Sequence, residues 1–356
     1  MIIDNTPQYD FNNVLIKPKK TKITSRSQVD LVRSFTFKNS TSTWSGIPIM
    51  AANMDTTGTF EIARVLSKNK MLTCLHKFYR AVDYSEFFKL LDDEERVEMF
   101  NNIAVSSGIS DKDFDKLCEI MDTFPELKWI CIDVANGYME TMIKYCRKVR
   151  ERYPKSIIIA GNIATSSMTK MYIEKGLVDI VKVGIGPGSA CLTRLKTGVG
   201  VPQLSAIIEC GKQAHHCGGH IVGDGGITCP GDMAKAFGGG ADFVMCGGVF
   251  SGHDENPGEI IETESKTGES KKFKLFYGMS SEHAMKKHYG KMEKYRSSEG
   301  RCIKVPYKGP LEKTVYDYLG GIRSTCAYVN VNKLEDLYLN VTFLLVSQQL
   351  NTHLVK

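Results

Sequence analysis

The 356-residue sequence has no apolar stretch long enough to cross a bilayer. Its most hydrophobic runs, such as Ser156 to Ala160 and Asp179 to Val183, are strand-length and are bounded or interrupted by charge or glycine. The segment Met1 to Asp10 is polar and carries Asp4 and Asp10, with neither an apolar core nor a small-residue cleavage site, so a cytoplasmic protein is expected. No CxxC pair occurs among the 11 cysteines, an odd number scattered singly, which argues against a disulfide framework and for reduced thiols. The group Cys210, His215, His216, Cys217 and His220 follows no standard zinc spacing. There is no block of basic residues interleaved with aromatics, so nucleic acid is not an expected partner, and no membrane is expected either. The net charge of +6 is spread through a chain that is 24% charged, a balance that suits small anionic ligands.

What the sequence does contain is a repeat. Runs rich in β-branched residues recur at Ile47 to Ala51, Met71 to His76, Asn102 to Ser106, Trp129 to Val134, Ile157 to Gly161, Ile180 to Gly184, His220 to Asp224 and Phe243 to Cys246. Helical patterns fall between them: Thr59 to Lys68, Tyr138 to Arg152, and a helix around Asp232 to Phe237 led by Pro230 and stopped by Gly238, Gly239 and Gly240. Eight such units predict an α/β protein of the (β/α)8 TIM-barrel class. A doubly wound open sheet is the alternative, but it would want a GxGxxG turn after an early strand, and none is present there. One catalytic domain across 1–356 is expected, with 250–309 as a polar excursion after the last strand that could close over the site. Pro310 to Tyr328 resumes a helical pattern that would close the barrel, and the tail after Thr342 has no evident place.

Polar and glycine residues gather at the carboxyl ends of these strands, which in a β/α barrel form the active-site rim. The densest loop runs from Val183 through Gly184, Gly186, Pro187, Gly188, Ser189 and Ala190 to Cys191, then Thr193 and Arg194. A glycine loop alone is a weak sign. A cysteine at its end, surrounded by backbone N–H groups, can act as a nucleophile, against the bland reading of a small buried hydrophobe. Asp224-Gly225-Gly226 and Cys246-Gly247-Gly248 follow the last two strands, where barrels often hold phosphate. Asp224 would repel phosphate, so ribose hydroxyls are its better partner and a nucleotide the better ligand.

Together these motifs resemble the IMP dehydrogenase and GMP reductase family. The resemblance spans nearly the whole chain: Ala51 to Asp55, Asp133 to Tyr138, Gly184 to Ser189 with Cys191 and Thr193, Asp224 to Gly226, Phe276 to Ser280, Ser298 to Gly300, and Leu319 to Ser324. Lys77 to Asn102 is too short to hold the CBS modules that dehydrogenases usually carry. The excursion reads Tyr295-Arg296 where the dehydrogenases have an Arg-Tyr pair, and Ser298-Glu299-Gly300 follows, as in the reductase branch. The residue after the cysteine, often Thr or Ile in the family, is Leu192.

The resemblance implies reductive deamination of GMP to IMP with NADPH. Cys191 would be the nucleophile, with Thr193 and Glu299 as the acid/base pair. Substrate contacts would come from Ser189, Asp224, Gly225, Gly226, Gly247, Gly248, Gly278, Met279, Ser280, Arg296 and Gly300. NADPH contacts would come from Lys77, Asp133, Val134, Ala135, Ile185 and Gly186, with Ser25, Arg26 and Ser324 reaching in from a neighbouring subunit of a homotetramer. A potassium ion would rest on Gly186, Gly188, Cys191 and Arg194. The competing readings are a dehydrogenase without CBS modules and a nucleotide-binding barrel without turnover.

Overall fold

A computed structural model describes residues 1–264, 270–291 and 297–347. Eight parallel strands close into a barrel: β1 (Ile49–Ala51), β2 (Leu72–Leu75), β3 (Ile103–Ser107), β4 (Trp129–Asp133), β5 (Ile157–Ile163), β6 (Ile180–Val183), β7 (His220–Asp224) and β8 (Phe243–Cys246). Each strand pairs with its sequence neighbour, and β8 returns to β1 through Val244 opposite Ile49 and Cys246 opposite Ala51. The eight expected strands are thus found, with ends shifted by a residue or two. The exception is β5, which continues past Gly161 through an irregularity in its pairing with β6 and so carries Asn162 onto the rim.

The strands read as near-continuous apolar runs because both their faces are covered. Inside the barrel Met50, Leu72, Trp129, Ile159, Val222 and Phe243 form one cluster, joined by Phe35, Phe37 and Trp44. Those three come from an antiparallel hairpin, Arg33–Thr36 with Thr43–Gly46, that plugs the amino-terminal end of the barrel. Trp44 meets Trp129 edge-on with centroids 5.6 Å apart, and Phe35 stacks on Phe243 at 4.4 Å. Each buried ring contributes about 1.5–3 kcal/mol of hydrophobic stabilisation.

Outside the strands lies the helical layer. Thr59 caps the helix Phe60–Lys68, its hydroxyl accepting from the Ile62 N–H. The helix Leu311–Tyr328 packs on Pro230–Gly238, where Gly321 lies so close to Pro230 that a Cβ would stand 2.3 Å from the ring. The chain end, unplaced by pattern, forms a short strand Phe343–Leu345 antiparallel to Val14–Ile16. Among the described residues no helix is long and apolar enough to cross a membrane.

Residues 250–309 are more regular than their polarity suggests. Strands β9 (Ile261–Glu264), β10 (Ser270–Tyr277) and β11 (Cys302–Pro306) make an antiparallel sheet, and a helix, Glu282–Tyr289, lies between β10 and β11. The lysines on β10 conceal the pattern. Lys274 is buried nonetheless, its ammonium donating to the carbonyl of Asn256 at 2.6 Å.

Candidate active site

Cys191 lies half-buried on the loop after β6, and the 250–309 excursion reaches it through main-chain pairing. Leu192 N–H donates to the Glu299 carbonyl at 2.6 Å and Arg301 N–H to the Ala190 carbonyl at 2.9 Å, an antiparallel bridge that sets Gly300 opposite Cys191. Two glycines permit this approach. A Cβ on Gly300 would stand 2.7 Å from the Ser281 nitrogen and 3.2 Å from the Gly278 Cα.

The pairing brings Glu299 to two side chains of the cysteine loop. Cys191 Sγ–H donates to Thr193 Oγ1 at 3.2 Å, and Thr193 Oγ1–H donates to Glu299 Oε2 at 2.7 Å. A proton can therefore pass between carboxylate and hydroxyl beside the sulfur. Two buried thiols of the barrel are differently placed: burial pushes Cys146 and Cys210 up to about 12, where a thiol is inert.

A cavity of about 270 Å³ opens over the thiol. It is lined by Cys191, Thr193 and Glu299, by Ser189, Asp224, Gly225, Gly226, Gly247, Gly248, Gly278, Met279, Ser280 and Gly300, and by Asp133, Val134, Ala135, Ile185, Gly186 and Gly188. At one corner Gly225 and Gly226 both adopt positive φ, 93° and 81°. Among the described residues no acceptor meets the N–H groups of Gly226, Gly247 or Gly248, and a Cβ on Gly248 would lie 3.2 Å from Ser189 Oγ. Unmatched backbone donors beside a hydroxyl suit a phosphate.

A second cavity, about 550 Å³, meets the first along Asn53, Asp133 to Ala135, Met279 and Ser280, and continues past Lys77, whose ammonium is 3.5 Å from Asp113. Its junction with the cavity over the thiol and its mixed polar and apolar lining fit a dinucleotide. Ser25, Arg26 and Ser324 line neither cavity. Ser25 caps a short 3-10 turn, Arg26–Gln28, and the Ser324 hydroxyl donates to the Gly320 carbonyl within its helix. Arg296, with Tyr295, lies outside the described residues.

The carbonyl oxygens of Gly186 and Cys191 receive no hydrogen bond among the described residues, so they are free to face a monovalent cation, while that of Gly188 accepts from Cys191 N–H. Arg194 has a further part. Its guanidinium donates to Asp10 at 3.0 Å and to the Val201 carbonyl at 2.6 Å, and its carbonyl accepts from Gly198 N–H. These contacts tie the loop to the amino-terminal segment, and they leave the Arg194 carbonyl, like that of Gly188, a second lone pair for a cation.

Pattern reading overlooked Lys182. It sits on β6, fully buried beneath the first cavity, 2.5 Å from Asp133, 3.4 Å from Asp224 and 3.3 Å from Asn53 Oδ1. Burial acts to lower its pKa, but the two carboxylates prevail and hold it well above the usual lysine value. Asp133 responds in kind: burial would raise it, and Lys182 holds it below the usual carboxylate range. Asn162 completes the group, donating to Asp224 Oδ2 and to the Gly184 carbonyl, both at 2.9 Å. The available signal was one charge inside Ile180-Val181-Lys182-Val183, where a buried strand admits an ammonium only if carboxylates meet it.

A closed β/α barrel with a thiol, a hydroxyl and a carboxylate gathered over a cavity at its loop-bearing rim has the architecture of a barrel enzyme. Residues 8–352 match the IMP dehydrogenase / GMP reductase domain, and the chain belongs to that family. It is 52% identical over 349 residues to GMP reductase 2 of Homo sapiens, covering 98% of this chain and 97% of that protein. It is 52% identical over 350 residues to GMP reductase 1 of Mus musculus, with 98% of each chain covered. Against the GMP reductase of Caenorhabditis elegans the figure is 50% over 349 residues, 98% of this chain and 95% of that one.

Proposed function

We propose that this chain is a GMP reductase, converting GMP to IMP and ammonia at the expense of NADPH. The observation that carries the reading is the Cys191–Thr193–Glu299 contact, which places a nucleophile and a proton donor on one wall of the same cavity. In this mechanism the Cys191 sulfur attacks C2 of the purine, forming a C–S bond. The 2-amino group departs as ammonia once Glu299, acting through the Thr193 hydroxyl, has supplied its proton. NADPH, when bound, supplies the hydride that replaces sulfur at C2. Cys191 then leaves as thiolate and is ready for the next turnover.

Ser189 and the amides of Gly226, Gly247 and Gly248 hold the phosphate, with Gly225 shaping that turn. Asp224, steadied by Lys182 and Asn162, accepts from the ribose hydroxyls. Gly278, Met279, Ser280, Arg296 and Gly300 surround the base. Lys77, Asp133, Val134, Ala135, Ile185 and Gly186 hold NADPH, and Ser25, Arg26 and Ser324 reach it from a neighbouring subunit of a homotetramer. A potassium ion would rest on the carbonyls of the cysteine loop, those of Gly186, Gly188 and Cys191, with that of Arg194. The whole is one catalytic domain without a CBS insertion, its segment 250–309 a lid that carries Glu299 to the thiol. It works in the cytoplasm, without nucleic acid or membrane.

The direct test is NADPH absorbance followed with purified protein and GMP, beside a control with IMP and NAD. Loss of NADPH with release of IMP and ammonia is the expected outcome. NADH formed from IMP would make the protein a dehydrogenase, and silence in both with GMP still bound would make it a non-catalytic binder.

A further inference from the structure

Asp55 lies four residues past the end of β1, outside the thiol site, yet three side chains from the excursion converge on a single oxygen of its carboxylate. Tyr277 Oη–H donates to Asp55 Oδ2 at 2.9 Å, Lys287 Nζ donates to it at 2.9 Å, and His288 Nε2 lies 2.6 Å from it. Lys287 also donates to the Tyr277 hydroxyl at 3.0 Å. The carboxylate is 2% exposed, and its other oxygen has no hydrogen-bond partner among the described residues. A buried carboxylate held by one oxygen is costly unless its partners stay in place. All three partners belong to the excursion.

Two of these partners, Tyr277 and His288, lead to the ligand cavities. Tyr277 ends β10 and is followed directly by Gly278, Met279 and Ser280, which line the first cavity. The Asp55 N–H contacts Met279 Sδ at 3.5 Å, a second tie to the same strip. His288 stacks on Phe78 with centroids 3.5 Å apart and rings within 3° of parallel, and Phe78 and Tyr289 are both walls of the second cavity. One residue on the barrel thus holds the strip that lines the first cavity and the helix end beside the second, and Tyr277 in turn pairs with Cys302, three residues past Glu299.

We infer that Asp55 is a positioning residue, the barrel-side anchor that holds the lid shut over nucleotide and cofactor before either binds. The inference rests on the functional reading above for the identity of the two ligands. Its consequence follows from population arithmetic: if the anchor keeps the closed form dominant, its loss lowers the competent fraction, and apparent affinity for both ligands falls by that fraction. At saturation the ligands themselves restore closure, so kcat changes less than KM.

The test is Asp55→Asn in the full chain, which keeps the shape and removes the charge. We expect KM for GMP and the dissociation constant for NADPH, read by fluorescence titration, each to rise about tenfold, with kcat within about threefold. Without ligand, alkylation of Cys191 by iodoacetamide, read by peptide mass spectrometry, should quicken by about tenfold, because the strand paired with the cysteine loop is released. Wild-type affinity and wild-type alkylation in the variant would overturn the anchor, as would a fall in kcat with both affinities unchanged. If Asp55→Asn does not fold, His288→Gln and Lys287→Met, whose side chains project from the lid, should move the same readouts in the same direction, and no movement would overturn it. A wild-type protein that does not oxidise NADPH with GMP would sink the functional reading, while the alkylation rates would still decide the anchor.

Discussion

Thr193 and Glu299 are 106 residues apart in sequence, yet the hydroxyl of one donates to the carboxylate of the other at 2.7 Å, directly beside the Cys191 sulfur. Thr193 opens a helix on the barrel and Glu299 comes from the segment folded over it. Proton transfer at this site therefore depends on how the two parts dock.

Cys191→Ala should abolish turnover, by on the order of 10³-fold or more, while GMP still binds. Calorimetry for GMP beside NADPH absorbance separates the two effects. Normal steady-state turnover would remove the cysteine from the mechanism.

Glu299→Gln keeps the hydrogen-bonding shape but loses the proton. A fall of about 10²–10⁴-fold in kcat is expected with GMP affinity largely intact. Ammonia release in a single turnover is the step to follow, and an unchanged rate there would assign the proton to another group.

Gly300→Ala tests the docking. Its Cβ would meet backbone atoms of Ser281 and Gly278, not a flexible side chain, so the strand must shift and carry Glu299 away from Thr193. A loss of about 10²-fold in kcat with little change in melting temperature is expected. Retained activity would mean that the docking is more tolerant than the contacts imply.

Lys182→Met leaves Asp133 and Asp224 without their shared cation. A cost of about 1–3 kcal/mol in unfolding free energy is expected, read from urea melts, together with weakened GMP binding. Full stability and full affinity together would contradict the role given to Lys182.

The amino-terminal end of the barrel should set the pH limits of stability. Asp242 is buried, which acts to raise its pKa, but His215 at 2.9 Å and His220 at 3.5 Å outweigh this and hold it below the usual carboxylate range. His215 is held above its ordinary value, chiefly by its hydrogen bond to Asp242. A depressed carboxylate contributes stability that is full above about pH 3.9 and is lost as pH falls. A raised histidine contributes fully below about pH 6.5 and loses that contribution as pH rises through its elevated value. Melting temperature should therefore fall on both sides of a mildly acidic plateau, and Asp242→Asn should flatten both flanks. An unchanged profile in that variant would exclude the cluster as the cause.

The sequence by itself determined the barrel and much of its rim. Strand-length apolar runs alternating with amphipathic helices leave few ways to bury both faces of a parallel sheet, and glycine or polar residues at the strand ends marked the rim that bears the chemistry. The Gly184 to Cys191 loop was legible for the same reason, since its composition is local. Tertiary structure alone decided what depends on partners far along the chain. Lys182 looked like an interruption of β6 until Asp133 and Asp224 appeared on either side of it. Arg194 was legible only as part of the cysteine loop, and the fold added that its guanidinium ties that loop back to Asp10. Residues 250–309 looked like a polar loop until three strands paired within them, and Asp55 stood only as the last residue of the Ala51 to Asp55 motif, without a role, before Tyr277, Lys287 and His288 were folded against it. A charge is legible in sequence only as a charge; what it does is set by the burial and the counter-charges that folding places around it.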